Sequence, residues 1–70
     1  MTSLNTAPVG QLLEIKWITG SRELLKRIRE LGVCEGERIM VLSASIDGII
    51  IRVRDLRLAI GTEVAERIKV

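Results

Sequence analysis

The sequence predicts a mainly β domain that closes into a small barrel and carries one α-helix of about ten residues, with a short helical turn near the C-terminus. Three observations carry that prediction. Ile, Leu and Val fill 25 of the 70 positions while Trp17 is the only aromatic residue, and branched aliphatics at that density favour a pleated surface. Period-two alternation recurs along the chain, interrupted by one stretch of helical spacing. The two patterns meet at Leu31-Gly32-Val33-Cys34-Glu35-Gly36-Glu37-Arg38, where two glycines hand the chain from helix to strand.

The elements follow in order. Residues 1–8 carry little pattern and read as a loose N-terminal tail, with Pro8 and Gly10 marking where ordered structure begins, so the folded domain is assigned to residues 9–70. From Leu12 to Ile18 a first strand places Leu13, Ile15 and Trp17 on its inner face and Glu14 and Lys16 on the other, although Leu12 and Ile18 break perfect alternation. Thr19-Gly20-Ser21 ends the strand and offers the Ser21 hydroxyl as a helix cap.

The helix spans Arg22 to Leu31, burying Leu24, Leu25, Ile28 and Leu31 and turning Arg22, Lys26 and Arg29 outward. Glu23 stands four residues before Arg27, a pair worth about 0.2–0.5 kcal/mol, so the helix depends mainly on its leucine face. Gly32 is its stop and Gly36 serves the next turn.

A strand from Arg38 to Ser45, a turn at Ile46-Asp47-Gly48 and a strand from Ile49 to Arg54 make a hairpin. A second hairpin reverses at Asp55-Leu56 and sets Ile49, Ile51 and Val53 on one face with Leu58 and Ile60. That register puts Arg54 opposite Arg57, a destabilising pair of like charges. After the turn glycine Gly61, Thr62 caps a short helical turn through Val64 and Ala65, and Ile68-Lys69-Val70 forms a last strand. Barrel closure removes the edges that such Ile-rich strands would otherwise expose to aggregation.

Composition narrows the chemistry. The chain has one cysteine and no histidine, so it has no internal disulfide and no zinc or iron–sulfur spacing. No metal ligand set is assigned: Cys34 reads as structural, and Glu35 and Glu37 as solvated turn residues. General acid–base and nucleophilic catalysis need a positioned partner such as His, so the chain reads as a non-enzyme with no catalytic residues and no evident cofactor. Apolar runs such as Ile49-Ile50-Ile51 are cut by charge within a few positions, and no secretory signal pattern opens the chain, which points to a cytoplasmic location.

The cations remain as candidates for partner binding. Arg22, Lys26 and Arg29 on the helix and Arg52, Arg54 and Arg57 on the hairpin form two positive surfaces, although the formal net charge is only +2. An acidic partner surface would offset the strain of apposed arginines.

The run Leu31-Gly32-Val33-Cys34-Glu35-Gly36 with Ile39 and Val41, then Ile51 and Val53, Leu58-Ala59-Ile60-Gly61, Ala65 and Ile68-Lys69-Val70, resembles the ferrous iron transport protein A family from about Val9 to Val70. Where this chain has Glu35, members of that family commonly have Pro, which makes the turn before Gly36 less rigid here. The resemblance implies an SH3-like β-barrel and a cytosolic accessory protein of ferrous iron uptake. Its implied partner is the membrane ferrous iron transporter with a cytosolic GTPase domain, through which alone the chain would approach the membrane. Ferrous iron enters only through that transport role. Self-association stays open. The alternatives are a small basic nucleic-acid-binding barrel, disfavoured by the scarcity of aromatics for base stacking, and a metal-responsive accessory domain.

Overall fold

The computed structural model describes residues 1–70. Six antiparallel strands and two helices form the fold: β1 (Leu12–Glu14), β2 (Trp17–Ile18), α1 (Arg22–Glu30), β3 (Arg38–Ser45), β4 (Gly48–Val53), β5 (Leu56–Gly61), α2 (Thr62–Glu66) and β6 (Ile68–Lys69). One sheet runs β1-β3-β4-β5 and a smaller one pairs β2 with β6. This is the small barrel predicted from the aliphatic alternation, with its core in Ile15, Ile39, Val41, Ile51, Val53 and Ile68.

The predicted first strand is broken in two because its hydrogen-bonding partner changes midway. The Ile15 amide donates to the Glu37 carbonyl and the Gly36 amide to the Ile15 carbonyl, while the Lys16 amide one residue later donates to Lys69 on β6. The chain thereby joins the two sheets at a corner. The corner also shifts the alternation. Ile15 and Ile18 are buried, and Trp17, predicted inside, is 50% exposed.

Residues 1–8 are no loose tail. Thr2 and Val70 exchange two backbone hydrogen bonds, and Ser3 bridges to Lys69, adding a third chain segment beside β6. The Lys69 ammonium donates to the Ser3 hydroxyl at 2.6 Å. A 3₁₀ turn at Leu4–Thr6 then drops Leu4 into the core, where it is fully buried. The polar residues around Leu4 hide this role, because one apolar residue has no periodicity.

Helix α1 begins as predicted, with the Ser21 hydroxyl accepting from the Leu24 amide at 3.1 Å. It ends one residue earlier than predicted. Leu31 is the C-cap, and 42% of it is exposed rather than turned inward. Gly32, at φ 95°, lets the Val33 amide reach the Ile28 carbonyl and the Gly32 amide reach Arg29, a Schellman motif. The Glu23–Arg27 pair is not formed; Arg29 instead reaches Glu35 at 3.5 Å.

The second hairpin also differs by one step. Its two-residue turn is Arg54-Asp55, not Asp55-Leu56, so Arg57 faces Arg52 and not Arg54. The inward face is unchanged: Ile51 pairs with Leu58 and Ile49 with Ile60. Gly61 has ordinary extended backbone and sits at the N-cap of α2, so no turn requires its flexibility. Thr62 makes no cap there; its hydroxyl donates to the Ile46 carbonyl at 3.0 Å and ties α2 to the first hairpin. Closure is incomplete, for β5 pairs with β4 alone and leaves its other edge open.

Candidate functional site

The cations predicted to bind a partner fall into two roles once folded. Register aligns Leu12, Met40, Arg52 and Arg57 as one row across β1, β3, β4 and β5. Their neighbours Ile39, Val53, Ile51 and Val41 point into the core, so alternation sends both arginines outward, and both are exposed. Neither has a carboxylate within ion-pair distance; the pairs present are Lys16–Glu14, Arg29–Glu35 and Arg54–Glu37. Two like charges thus face one another on a solvent-exposed surface, with Asp55 beside them in the same depression but in ion-pair contact with neither.

Arg54 acts otherwise. It takes a left-handed backbone at φ 55° in the turn, and its guanidinium reaches Glu37 at 3.4 Å. Its side chain lies over Gly32, where an added Cβ would come within 3.2 Å of the Arg54 Nε. Arg54 therefore links the hairpin to the turn that follows α1.

The helical cations divide in the same way. Arg29 is held by Glu35, whereas Arg22 and Lys26 carry no ion pair and line a shallow depression with Gly20 and Leu25. The turn between α1 and β3 thus receives one arginine from the helix and one from the hairpin, through Glu35 and Glu37. Those acids, read from sequence as solvated, are the link between the two basic surfaces. Cys34 sits between them, half-buried, with its thiol 3.9 Å from the Gly32 carbonyl. No group of three or more His, Cys, Asp or Glu residues comes together in a way that could hold a metal ion.

Sequence reasoning missed an apolar groove of about 200 Å³ between α1 and β5, whose walls include Leu24, Ile28, Leu31, Leu58, Ile60 and Val64. Periodicity marks Leu24, Ile28, Leu58 and Ile60 as apolar-face residues. It does not reveal that the helix stands away from the strand and leaves some of that face uncovered.

Comparison with known proteins agrees with this fold. A family model described as the FeoA domain matches residues 2–70. The crystal structure of an iron uptake regulatory protein, FeoA, superposes with a TM-score of 0.87 at 29% identity, covering 96% of this chain and 91% of that one. The solution structure of iron(II) transport protein A from Clostridium thermocellum gives 0.87 at 21% identity, covering 97% of this chain and 43% of that one, a likeness of fold. No curated protein matches.

Proposed function

The chain belongs to the FeoA domain family, and from that membership we propose that it serves ferrous iron uptake by binding another protein and catalyses nothing itself. The proposed partner is the cytosolic GTPase domain of the membrane ferrous iron transporter, whose assembly or nucleotide cycle the bound domain modulates from the cytoplasmic side. No helix here is long and apolar enough to cross a membrane.

The observation that carries this reading is the apposed Arg52–Arg57 pair. Like charges opposed across a strand pair destabilise it, and an acidic partner surface would turn that repulsion into attraction while steering the encounter. The likeness to an iron uptake regulatory protein at 29% identity supports the same role. Trp17 offers one exposed ring for a nucleic acid base, fewer than the two or three on which RNA-binding sheets stack bases.

Binding of the purified chain to the isolated GTPase domain, measured by calorimetry at several salt concentrations beside a single-stranded oligonucleotide, tests the proposal. Binding to the GTPase domain that weakens at least tenfold in Arg52→Glu and Arg57→Glu, with the thermal melt preserved, supports it. Binding to the oligonucleotide alone, or no response to either substitution, overturns it.

A further inference from the structure

Strand β5 is hydrogen-bonded on one side only. In a hairpin with a two-residue loop, the pair flanking the loop exchanges both backbone hydrogen bonds, and this pattern repeats at every second pair. Here those pairs are Val53/Leu56, Ile51/Leu58 and Ile49/Ile60. The intervening residues of β5, Arg57 and Ala59, therefore direct their N–H and C=O groups at the open edge. No turn, loop or cap hydrogen bond uses any of those four groups.

The apolar groove lies along that same edge. Leu58, Ala59 and Ile60 form one wall, and Leu24, Ile28 and Leu31 of the α1 end form the other. No strand makes an extended backbone approach to α1, which is why the wall stands apart from β5. A cavity of about 150 Å³ suffices to hold benzene, so a groove of about 200 Å³ admits a branched aliphatic side chain. An unpaired edge and an adjacent apolar slot are the two elements of recognition by strand addition, in which backbone bonds supply affinity and a side-chain pocket supplies specificity.

We propose that β5 and α1 together receive an extended segment of a partner protein, which pairs with Arg57 and Ala59 as an added strand, places an aliphatic side chain in the groove, and carries acidic residues beside it. The acidic character follows from the cations at hand: Arg57 on β5 itself and Arg52 opposite it on β4, neither of which has an ion-pair partner. The same charges argue against a second copy of this chain as occupant. Antiparallel pairing of two β5 strands would add a second Arg57 to a surface that already opposes Arg57 to Arg52.

This inference rests on the proposed partnership with the GTPase domain, and the test separates the two. Amide hydrogen exchange of the full chain is followed by NMR with and without that domain, and binding is measured for Ala59→Pro, Leu31→Asp and, as a distant control at the tip of the first hairpin, Ile46→Ser. Pro at Ala59 removes an amide that no internal bond uses, a position where an edge strand tolerates it; Leu31 is exposed enough to accept a charge should Ala59→Pro fail to fold. The expected result is at least tenfold slower exchange at Arg57 and Ala59 in the complex and at least tenfold weaker binding by Ala59→Pro and Leu31→Asp, with Ile46→Ser unchanged. Tight binding with unprotected Arg57 and Ala59 amides overturns the strand-addition inference alone. Absence of any binding overturns both.

Discussion

Of the three turn glycines that the sequence predicts, Gly32 and Gly36 take positive φ, at 95° and 89°, and Gly61 does not. Gly32 and Gly36 differ in what surrounds them. A Cβ at Gly36 meets nothing within 4 Å, whereas one at Gly32 presses on the Arg54 side chain. Gly36→Ala should therefore lose only the strain of a left-handed backbone, about 1 kcal/mol. Gly32→Ala should lose more, about 2–3 kcal/mol, as crowding adds to that strain. Urea denaturation of both variants, together with Gly32→Ala in an Arg54→Ala background, isolates the crowding. Equal losses at the two glycines would show that Arg54 moves aside without cost. The need for glycine was readable because the change from helical to strand spacing demands a sharp reversal. Its contact with Arg54 was not, for 22 residues separate the two and only the register of the second hairpin brings them together.

At the level of elements, alternation and spacing located α1 and the strands of the two hairpins, which are amphipathic over their own length, but joined β1 and β2 into one strand and gave no sign of the 3₁₀ turn at Leu4–Thr6. What they missed was decided by partners distant in sequence. The break at Ile15–Lys16 arises from a change of neighbouring strand, and the turn at Arg54-Asp55 from a register in which Ile51 meets Leu58. That register keeps the apolar face of β4 and β5 together at the expense of Arg52 and Arg57, whose exposed repulsion is weaker than the burial of Ile49, Ile51 and Val53. Replacing Arg57 by Thr removes the repulsion and supplies a good strand former. Arg57→Thr is thus expected to raise stability by about 0.2–1 kcal/mol while weakening partner binding, a trade visible by comparing melts with calorimetric titrations. A variant that loses stability as well would mean that Arg57 supports the sheet through its aliphatic stem. Helix α1 invites a parallel test. Ser21→Ala removes the acceptor for the Leu24 amide and should cost about 1 kcal/mol, with enhanced amide exchange confined to the first turn of the helix.

For the whole molecule, the decisive feature is that the two ends of the chain support one another. A domain of 70 residues commands a stability of only about 4–10 kcal/mol, and little of it resides in the three surface ion pairs, whose side chains remain partly exposed. The core is small, so each fully buried side chain is a sizeable fraction of the total. Leu4 is one of them, held by the 3₁₀ turn and by the bonds that join Thr2 to Val70 and Ser3 to Lys69. Its removal leaves a void beside α2, which packs on that turn, and the flanking segment lacks other apolar mass to fill it. Leu4→Ala is accordingly expected to cost about 2–4 kcal/mol, enough to bring the weaker end of that range close to unfolding at ambient temperature. Thr6→Ala, which deletes only an exposed hydroxyl bonded to the Ser3 carbonyl, should change stability by less than about 0.5 kcal/mol. Chemical denaturation of the two variants side by side distinguishes a segment that completes the core from one that merely lies on it: comparable small losses would make residues 1–8 dispensable, whereas a large loss at Leu4 alone makes the N-terminal segment a structural part of the barrel.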